Sequence, residues 1–248
     1  MNTNNFLSIF PVEKPIIGML HLKGSSSQDC LSRTQREIAL MLNNGIDAVL
    51  VENYFGKVAD VEAVLKWLDK ECSQAIYGVN ILAHTMPEPL AFNLAHQYGA
   101  KFIQIDSVAG HLPPTEDLNM ECKLQQLRNN FPIPIIGGVR FKYQPIQSNR
   151  NEKEDVKIGM TRCDAIAITG EGTGIETDLQ KIKRFRSIVG NFPLVVAAGL
   201  TDSNCLSQMA IGDACIVGSF LKDTGKDSGD ISVEKIKRLV SQIENLRP

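Results

Sequence analysis

Eight short apolar segments alternate with eight helical segments along the chain, and this alternation constrains the fold more than any other feature. The apolar segments predict strands over residues 14–22, 46–53, 76–82, 102–107, 133–143, 164–169, 194–198 and 215–217. Helix-start signals, such as Ser232 before the last helical segment, mark the intervening stretches. Strands that alternate with helices form a parallel sheet covered by those helices. With no linker in the pattern, we predict one α/β domain over residues 1–248, a closed (β/α)8 barrel.

Length, charge and cysteine spacing limit the size of the fold, the partners and the cellular compartment that we expect. The 248 residues are close to the usual length of a single barrel, and the net charge of −2 gives no reason to expect nucleic acid. Neither a secretory signal nor an apolar run long enough to span a membrane is visible, so no membrane insertion is expected. The six cysteines lack C-x-x-C spacing, which favours reduced thiols and a cytoplasmic protein.

Residues 192–222 contain two glycine turns, each following a predicted strand. Gly199-Leu200 follows the seventh strand and Gly218-Ser219 follows the eighth. Glycine turns that open helices after strands 7 and 8 of such a barrel present backbone N–H groups to one point, which suits a phosphate. The alternative is that both glycines only end their strands. We predict a phosphate-binding cup formed by Gly199, Leu200, Gly218 and Ser219.

Polar residues at the carboxyl ends of the strands are the candidates for chemistry, because active sites of this fold lie there. Period-2 alternation turns Asn80, Asp106, Arg140 and Lys142 toward the lumen, whereas Phe141 and Tyr143 face the helices. Glu52 and Asn53 end the second strand, where either can turn inward. The expected set contains two acids, two bases and two amides. The alternative is that Glu52 and Asp106 pair with Arg140 and Lys142 for structural reasons.

Lys142 is the first choice for a chemical role in this set. A partly desolvated lysine beside Arg140 has a lowered pKa and can act as a base or form a Schiff base, with Glu52 or Asp106 transferring protons. Lys142 can equally stay protonated and anchor a substrate oxygen. His21, at the end of the first strand, is a general base or a hydrogen-bonded mouth residue. Asn53, Asn80, Arg140 and Thr169 are predicted to bind substrate.

Several stretches resemble the BtpA family, which includes the SgcQ-like proteins. They are KPIIGMLHL, GIDAVLVEN, GVN, DAIAITGEGTG, AAGLTDSN and IVGSFLK, spread over nearly the whole chain. The resemblance implies a barrel of the ribulose-phosphate-binding type. Cyanobacterial members are associated with photosystem I biogenesis, and other members occur among sugar-metabolism genes. This sequence departs from the family pattern at residues 23–27, 83–85 and 137–143, where an aspartate and a histidine are missing but Lys142 remains.

Three functions follow from these observations. The first is an enzyme that acts on a small phosphorylated metabolite by acid/base or Schiff-base chemistry, with the loop 169–174 closing over the ligand. The second is a non-catalytic assembly or regulatory protein, and the third is a barrel that binds flavin mononucleotide. The ligand spacing typical of a catalytic metal, such as H-x-H, is missing, so neither a metal nor another cofactor is expected. Barrels of this size often self-associate, and a homo-oligomer is therefore among the expected assemblies.

Overall fold

The computed structural model describes residues 6–82 and 85–247, and in it eight parallel strands close into a barrel in the order β1 to β8. The strands are β1 Ile16–His21, β2 Ala48–Glu52, β3 Tyr77–Asn80, β4 Phe102–Ala109, β5 Ile135–Val139, β6 Ala165–Ile168, β7 Leu194–Ala197 and β8 Ala214–Val217. The helices are α1 Ser27–Leu42, α2 Val58–Glu71, α3 Pro87–Gln97, α4 Pro114–Asn130, α5 Glu152–Arg162, α6 Leu179–Val189, α7 Cys205–Met209 and α8 Val233–Glu244. The predicted fold class is confirmed.

Side-chain alternation divides the apolar core into two layers. On β1, Ile17 and Met19 belong to a cluster that fills the lumen, whereas Ile16 and Leu20 pack in the layer between the strands and the helices. This division follows from the period of two in a strand, which sends neighbouring side chains to opposite faces. Polar residues that face inward at the carboxyl ends of the strands therefore lie next to this lumen cluster.

Aromatic side chains fill the lumen near the amino ends of the strands. Phe6 and Phe10, from the segment that precedes β1, lie against Phe102 of β4 with ring centroids 5.9 and 6.3 Å from it. All three rings are buried, and Gly78 leaves them space because a Cβ there would lie 2.3 Å from the Phe102 ring. The barrel is thus a packed core open only toward the carboxyl ends of its strands.

The fifth strand differs most from its predicted range. β5 ends at Val139 rather than at residue 143, because Arg140 adopts a left-handed backbone conformation with φ of 47°. After β6, Asp178 caps α6, since its carboxylate accepts a hydrogen bond from the Gln180 N–H at 3.0 Å.

The residues described also bear on membranes, disulfides and metals. No helix within 6–82 or 85–247 combines the length and the apolar character needed to cross a membrane. All six cysteines are free thiols, and four of them are buried. Across the same residues, no three His, Cys, Asp or Glu side chains are grouped closely enough to hold a metal ion.

Candidate active site

A cavity of about 230 Å³ opens at the carboxyl ends of the strands. Its lining comes from the strand ends and from the loops after β2, β5, β6, β7 and β8. Among the predicted site residues, those in the lining are His21, Glu52, Asp106, Lys142, Thr169, Gly199, Leu200, Gly218 and Ser219. Asn80 is 1% exposed and lies beneath this lining, bonded to two of its members.

Four polar side chains form a hydrogen-bonded floor across β2, β3 and β4. The Asn80 amide donates to Glu52 Oε2 at 2.7 Å and to Asp106 Oδ1 at 3.0 Å. Gln104 Nε2 donates to the same Asp106 oxygen at 2.9 Å. The two carboxyl groups are therefore held by amides rather than by cations. Alternation alone predicted the inward orientation of Asn80 and Asp106, and the structure agrees.

Burial keeps both His21 and Glu52 uncharged at neutral pH. Burial raises the pKa of Glu52 to about 8, and the nearby Asp106 carboxylate adds to the effect. Burial also lowers the pKa of His21 to about 4. His21 Nε2 lies 3.9 Å from Glu52 Oε1. Between pH 4 and pH 8 this contact is accordingly a neutral carboxylic acid beside a neutral imidazole, not an ion pair.

Loops after β2, β5 and β6 meet over the cavity at Thr173. Lys142 Nζ donates to Thr173 Oγ1 at 2.8 Å, and the Thr173 N–H donates to the Tyr143 hydroxyl at 2.8 Å. Tyr54, from the loop after β2, also hydrogen-bonds to the Thr173 side chain, and its ring lies against the His21 ring at a tilt of 52° with centroids 4.7 Å apart. The predicted lid loop 169–174 therefore lies across the mouth of the barrel.

The turn after β7 is shaped by the passage of the lid loop. Ala198 and Gly199 have φ of 74° and 67°, a left-handed conformation that only glycine adopts without strain. A Cβ on Gly199 would lie 2.2 Å from the Ile175 carbonyl oxygen, so this position also needs glycine for packing. On the floor side of this lid, the Thr169 hydroxyl accepts the Lys142 N–H at 3.0 Å.

The turn after β8 already holds an anionic group. The Ser219 hydroxyl donates to the carboxylate of Asp227, a residue of the loop between β8 and α8. Asp227 also hydrogen-bonds to Tyr54 across the mouth. A Cβ on Gly218 would lie 2.8 Å from His21 Cε1, so this glycine makes room for the imidazole ring. The predicted cup thus brings the two glycine turns to one cavity together with a carboxylate that the prediction did not include.

Comparison with known proteins agrees with this architecture. The model of the BtpA family matches residues 12–245. The chain belongs to the BtpA family. It is 27% identical to an uncharacterised protein of Methanocaldococcus jannaschii over 95% of this chain and 97% of that relative. It is also 23% identical to the photosystem I biogenesis protein BtpA of a Synechocystis strain, over 87% of this chain and 83% of the relative.

Solved structures resemble this BtpA family member in fold. Thiamine phosphate pyrophosphorylase from Pyrococcus furiosus superposes with a TM-score of 0.63, covering 99% of each chain at 14% identity. At that identity the likeness establishes the (β/α)8 fold and nothing finer.

Two predicted substrate-binding residues of this BtpA family member lie away from the cavity. Arg140 was expected in the lumen, but its Nε donates to Asp155 of α5 at 2.8 Å, so that orientation is wrong. The left-handed turn at Arg140 reverses the alternation and places Phe141 in the lumen cluster instead of among the helices. The Asn53 side chain binds the backbone of Leu82. Its Nδ2 donates to the Leu82 carbonyl at 3.0 Å, and its Oδ1 accepts the Leu82 N–H at 2.8 Å.

Three cavity residues, and Asp227 bonded to the cavity residue Ser219, escaped the sequence analysis of this BtpA family member as ligand contacts. Tyr54, Thr173 and Asp227 lie in loops, and Tyr143 was expected to face the helices although it lines the cavity. Strand alternation gives no information about loop residues, and Asp227 stands in a run of mixed charges that is typical of a solvated surface. Only the clustering of Gly, Thr and Ser around these positions marked their loops. His84, a further candidate, lies outside the described residues.

Proposed function

We propose that this barrel is an enzyme that acts on a small phosphorylated metabolite, a sugar phosphate or a nucleotide-like compound, by acid/base chemistry. The observation that carries the proposal is Glu52, a buried carboxylic acid that keeps its proton up to about pH 8 at the floor of the cavity. A buried acid with a raised pKa, bonded to amides and not to a cation, is typical of a general acid. A structural role would be served better by a paired carboxylate.

Glu52 and His21 suit complementary roles in proton transfer. The neutral carboxylic acid donates a proton to a substrate oxygen, and the neutral imidazole accepts one from carbon or oxygen. Asn80 holds the Glu52 carboxyl group in place through its 2.7 Å hydrogen bond. Free-enzyme kcat/KM should then fall below about pH 4, where His21 gains a proton, and above about pH 8, where Glu52 loses one.

Lys142 fits an anchoring role within this proposal. Its Nζ donates to Thr173 Oγ1, and the Arg140 side chain is bonded to Asp155 of α5 instead of lying beside it. A protonated lysine that exchanges Thr173 for a substrate oxygen stabilises negative charge on that oxygen. Borohydride trapping with carbonyl substrates tests the Schiff-base alternative. A covalent adduct at Lys142 would replace the anchoring role by covalent catalysis.

The turns at Gly199-Leu200 and Gly218-Ser219 are the proposed phosphate end of the cavity. Backbone N–H groups of such turns and a serine hydroxyl are suitable phosphate donors. The name of the Pyrococcus furiosus neighbour refers to a phosphorylated compound, which supports the same ligand class for this chain. Asp227 occupies the Ser219 hydroxyl, so phosphate binding requires this carboxylate to move or to take a proton.

Thermal unfolding with ribose 5-phosphate and ribose as matched ligands tests the proposed function. At a concentration of 100 Kd, a specific ligand stabilises the fold by about 2.7 kcal/mol, which raises Tm by roughly 5 °C or more. Ribose 5-phosphate should give this shift and ribose should not. Ser219→Ala should reduce it, whereas Ser207→Ala, an exposed serine bonded only to the Asn204 carbonyl among the described residues, should not. Equal Tm shifts with both ligands in all three proteins would refute the phosphate site.

A non-catalytic assembly role is the second candidate, favoured by the relationship to the photosystem I biogenesis protein of Synechocystis. Glu52→Gln separates the two roles, because it removes the acid without changing the shape of the site. Loss of turnover on a substrate found by the ligand screen supports the enzyme. Full complementation of a deletion strain by Glu52→Gln would support the assembly role.

A further inference from the structure

A second cavity of about 180 Å³ lies beside the active-site cavity, between β4 and α3. We call it the side chamber, and its polar lining is Glu88, Gln104, Asp106, Ser107, His111 and Gln144. Leu82, Gln104 and Asp106 line both cavities, so the two spaces adjoin across these three residues. The side chamber is several times larger than the ~30 Å³ that one water occupies in the liquid.

A buried hydrogen-bond acceptor without a partner lies at the junction. Gln104 is 4% exposed, and its Nε2 is used by Asp106, but its Oε1 has no hydrogen-bond partner among the described residues. A buried carbonyl oxygen in this state costs free energy, because its hydrogen bond to water has not been replaced. A ligand that brings a hydrogen-bond donor to this oxygen would recover that free energy.

The charges around the side chamber select against an anionic ligand. The Glu88 carboxylate is buried and bonded to Lys123 Nζ at 3.0 Å. Ser107 Oγ lies 2.8 Å from His111 Nδ1, and burial lowers the pKa of that imidazole, so the pair is neutral at pH 7. None of the described lining residues is a lysine or an arginine. A phosphate or carboxylate placed here would face two carboxylates, Glu88 and Asp106, without a free cation.

The rest of the lining is apolar and suits the faces of a ring. Ile81, Leu82 and Ile105 supply aliphatic surface, and Ala91 leaves the space open on the α3 side. Apolar walls with a few convergent polar groups are the usual composition of a small-molecule site. The chemistry of the lining therefore suits a ring that carries hydrogen-bond donors.

We propose that the side chamber binds a neutral or cationic ring bearing an amide or amino group. This inference rests on the proposed function, because it makes the ring one part of the phosphorylated substrate. The phosphate occupies the glycine turns, and the ring donates to Gln104 Oε1 in the side chamber. The bond that joins the two parts then passes Asp106, next to the acid/base floor. The substrate class is thus a nucleotide-like compound with a donor-bearing base.

Titration calorimetry with matched probes tests the ring site. The probes are inorganic phosphate, ribose 5-phosphate, nicotinamide mononucleotide and nicotinate mononucleotide. The last two differ only in a carboxamide against a carboxylate. Nicotinamide mononucleotide should bind at least tenfold more tightly than ribose 5-phosphate, and nicotinate mononucleotide should lose that gain. Equal affinities for ribose 5-phosphate and nicotinamide mononucleotide would overturn the proposal.

Two variants locate the gain in the side chamber. Ala91→Leu fills the space and should abolish the tenfold gain while leaving the affinity for inorganic phosphate unchanged. Gln104→Met removes the acceptor together with the Nε2 donor to Asp106, and it should abolish the gain as well. If Ala91→Leu fails to fold, as judged by its thermal melt, Gln104→Met alone decides. A gain retained in folded variants refutes the site.

Nicotinamide riboside, which has no phosphate, distinguishes this proposal from the function on which it rests. If neither inorganic phosphate nor ribose 5-phosphate binds, the phosphate end is wrong. Binding of nicotinamide riboside that Gln104→Met abolishes would then still establish the side chamber. If nicotinamide riboside also fails to bind in that case, the side chamber is refuted together with the phosphate site.

Discussion

The carboxylates at the two ends of the barrel have opposite kinds of partner. At the amino ends of the strands, three aspartates precede β2, β6 and β8, and each accepts the first backbone N–H of the preceding strand while pairing with an arginine from the helical layer. The three sets are Asp47 with Ile16 and Arg247, Asp164 with Ile135 and Arg128, and Asp213 with Leu194 and Arg186. These carboxylates tie strands to helices.

At the carboxyl ends, Glu52 and Asp106 bond to amides, and no cation bonds to either of them among the described residues. Glu52 and Asp106 share Asn80, and Lys142, the nearby ammonium group, donates to Thr173. A paired carboxylate holds its charge and stabilises the fold, whereas an unpaired buried one takes up a proton and becomes available for chemistry. Carboxyl groups thus tie strands to helices at one end, whereas at the other Glu52 is held by an amide and keeps its proton.

The largest expected effect is the change that Glu52 causes in the free energy of unfolding as pH rises. In the unfolded chain Glu52 ionises near pH 4.5, but in the folded state it keeps its proton until about pH 8. The folded state binds more protons at Glu52 between these values, so the contribution of Glu52 to the free energy of unfolding falls as pH rises, by on the order of 5 kcal/mol over the whole interval. Glu52→Gln should remove this fall and be more stable than wild type at pH 8.

Urea unfolding between pH 6.5 and pH 8 checks this prediction. Below pH 6.5 the lowered pKa of His21 gives the opposite slope, since the unfolded chain then binds the additional proton. Glu244→Gln, at an exposed glutamate that ends α8, is the control and should keep the wild-type slope. Parallel profiles for wild type and Glu52→Gln would show that Glu52 is ionised in the folded protein.

The next effect concerns the opposite end of the barrel. Asp164→Ala removes the partner of the Arg128 guanidinium and the acceptor of the Ile135 N–H, so the free energy of unfolding should fall by about 3 kcal/mol. Asp106→Asn at the mouth keeps an acceptor for Asn80 and Gln104 and should cost less than about 1 kcal/mol. Urea titrations of both variants at pH 7 give the two values. A larger loss for Asp106→Asn would reverse the comparison.

The contrast also explains which features the sequence predicts. Strand order, the inward orientation of Asn80 and Asp106, and the position of Glu52 follow from alternation, because a residue in a regular strand has only two faces. Arg140 does not follow this alternation, because its backbone is left-handed, and the pattern of apolar residues does not predict such a conformation. The charge states of Glu52 and His21 depend on burial by distant segments, so no local pattern predicts them.

Asp227 was beyond prediction for a different reason. Its loop is positioned by contacts with residues remote in sequence, including Lys23 and Lys235. Lys23 Nζ donates to the Gly229 carbonyl, and Lys235 Nζ donates to the Lys222 carbonyl at 2.7 Å. These contacts hold the loop in place and bring Asp227 within hydrogen-bond distance of Ser219. Pairings across so many residues leave no signature in a single sequence.

The smallest effect tests whether this carboxylate opposes phosphate at the mouth. Asp227 accepts the Ser219 hydroxyl, which the proposed cup needs as a donor, and two anions at this spacing repel. Asp227→Asn keeps the shape, removes the charge and should raise the affinity for inorganic phosphate about tenfold, or about 1.4 kcal/mol. Asp230→Asn is the matched control, because that residue lies in the same loop but pairs with Lys23 and Arg33.

Titration calorimetry at low and high salt gives the decisive comparison for Asp227. The gain from Asp227→Asn should shrink at high ionic strength, since salt screens charges at a half-open mouth. Weaker phosphate binding by Asp227→Asn would mean that the carboxylate positions Ser219 instead of competing for it. An equal gain in Asp230→Asn would assign the effect to the overall charge of the loop. A gain confined to Asp227→Asn would make this residue the one carboxylate at the mouth that phosphate must displace.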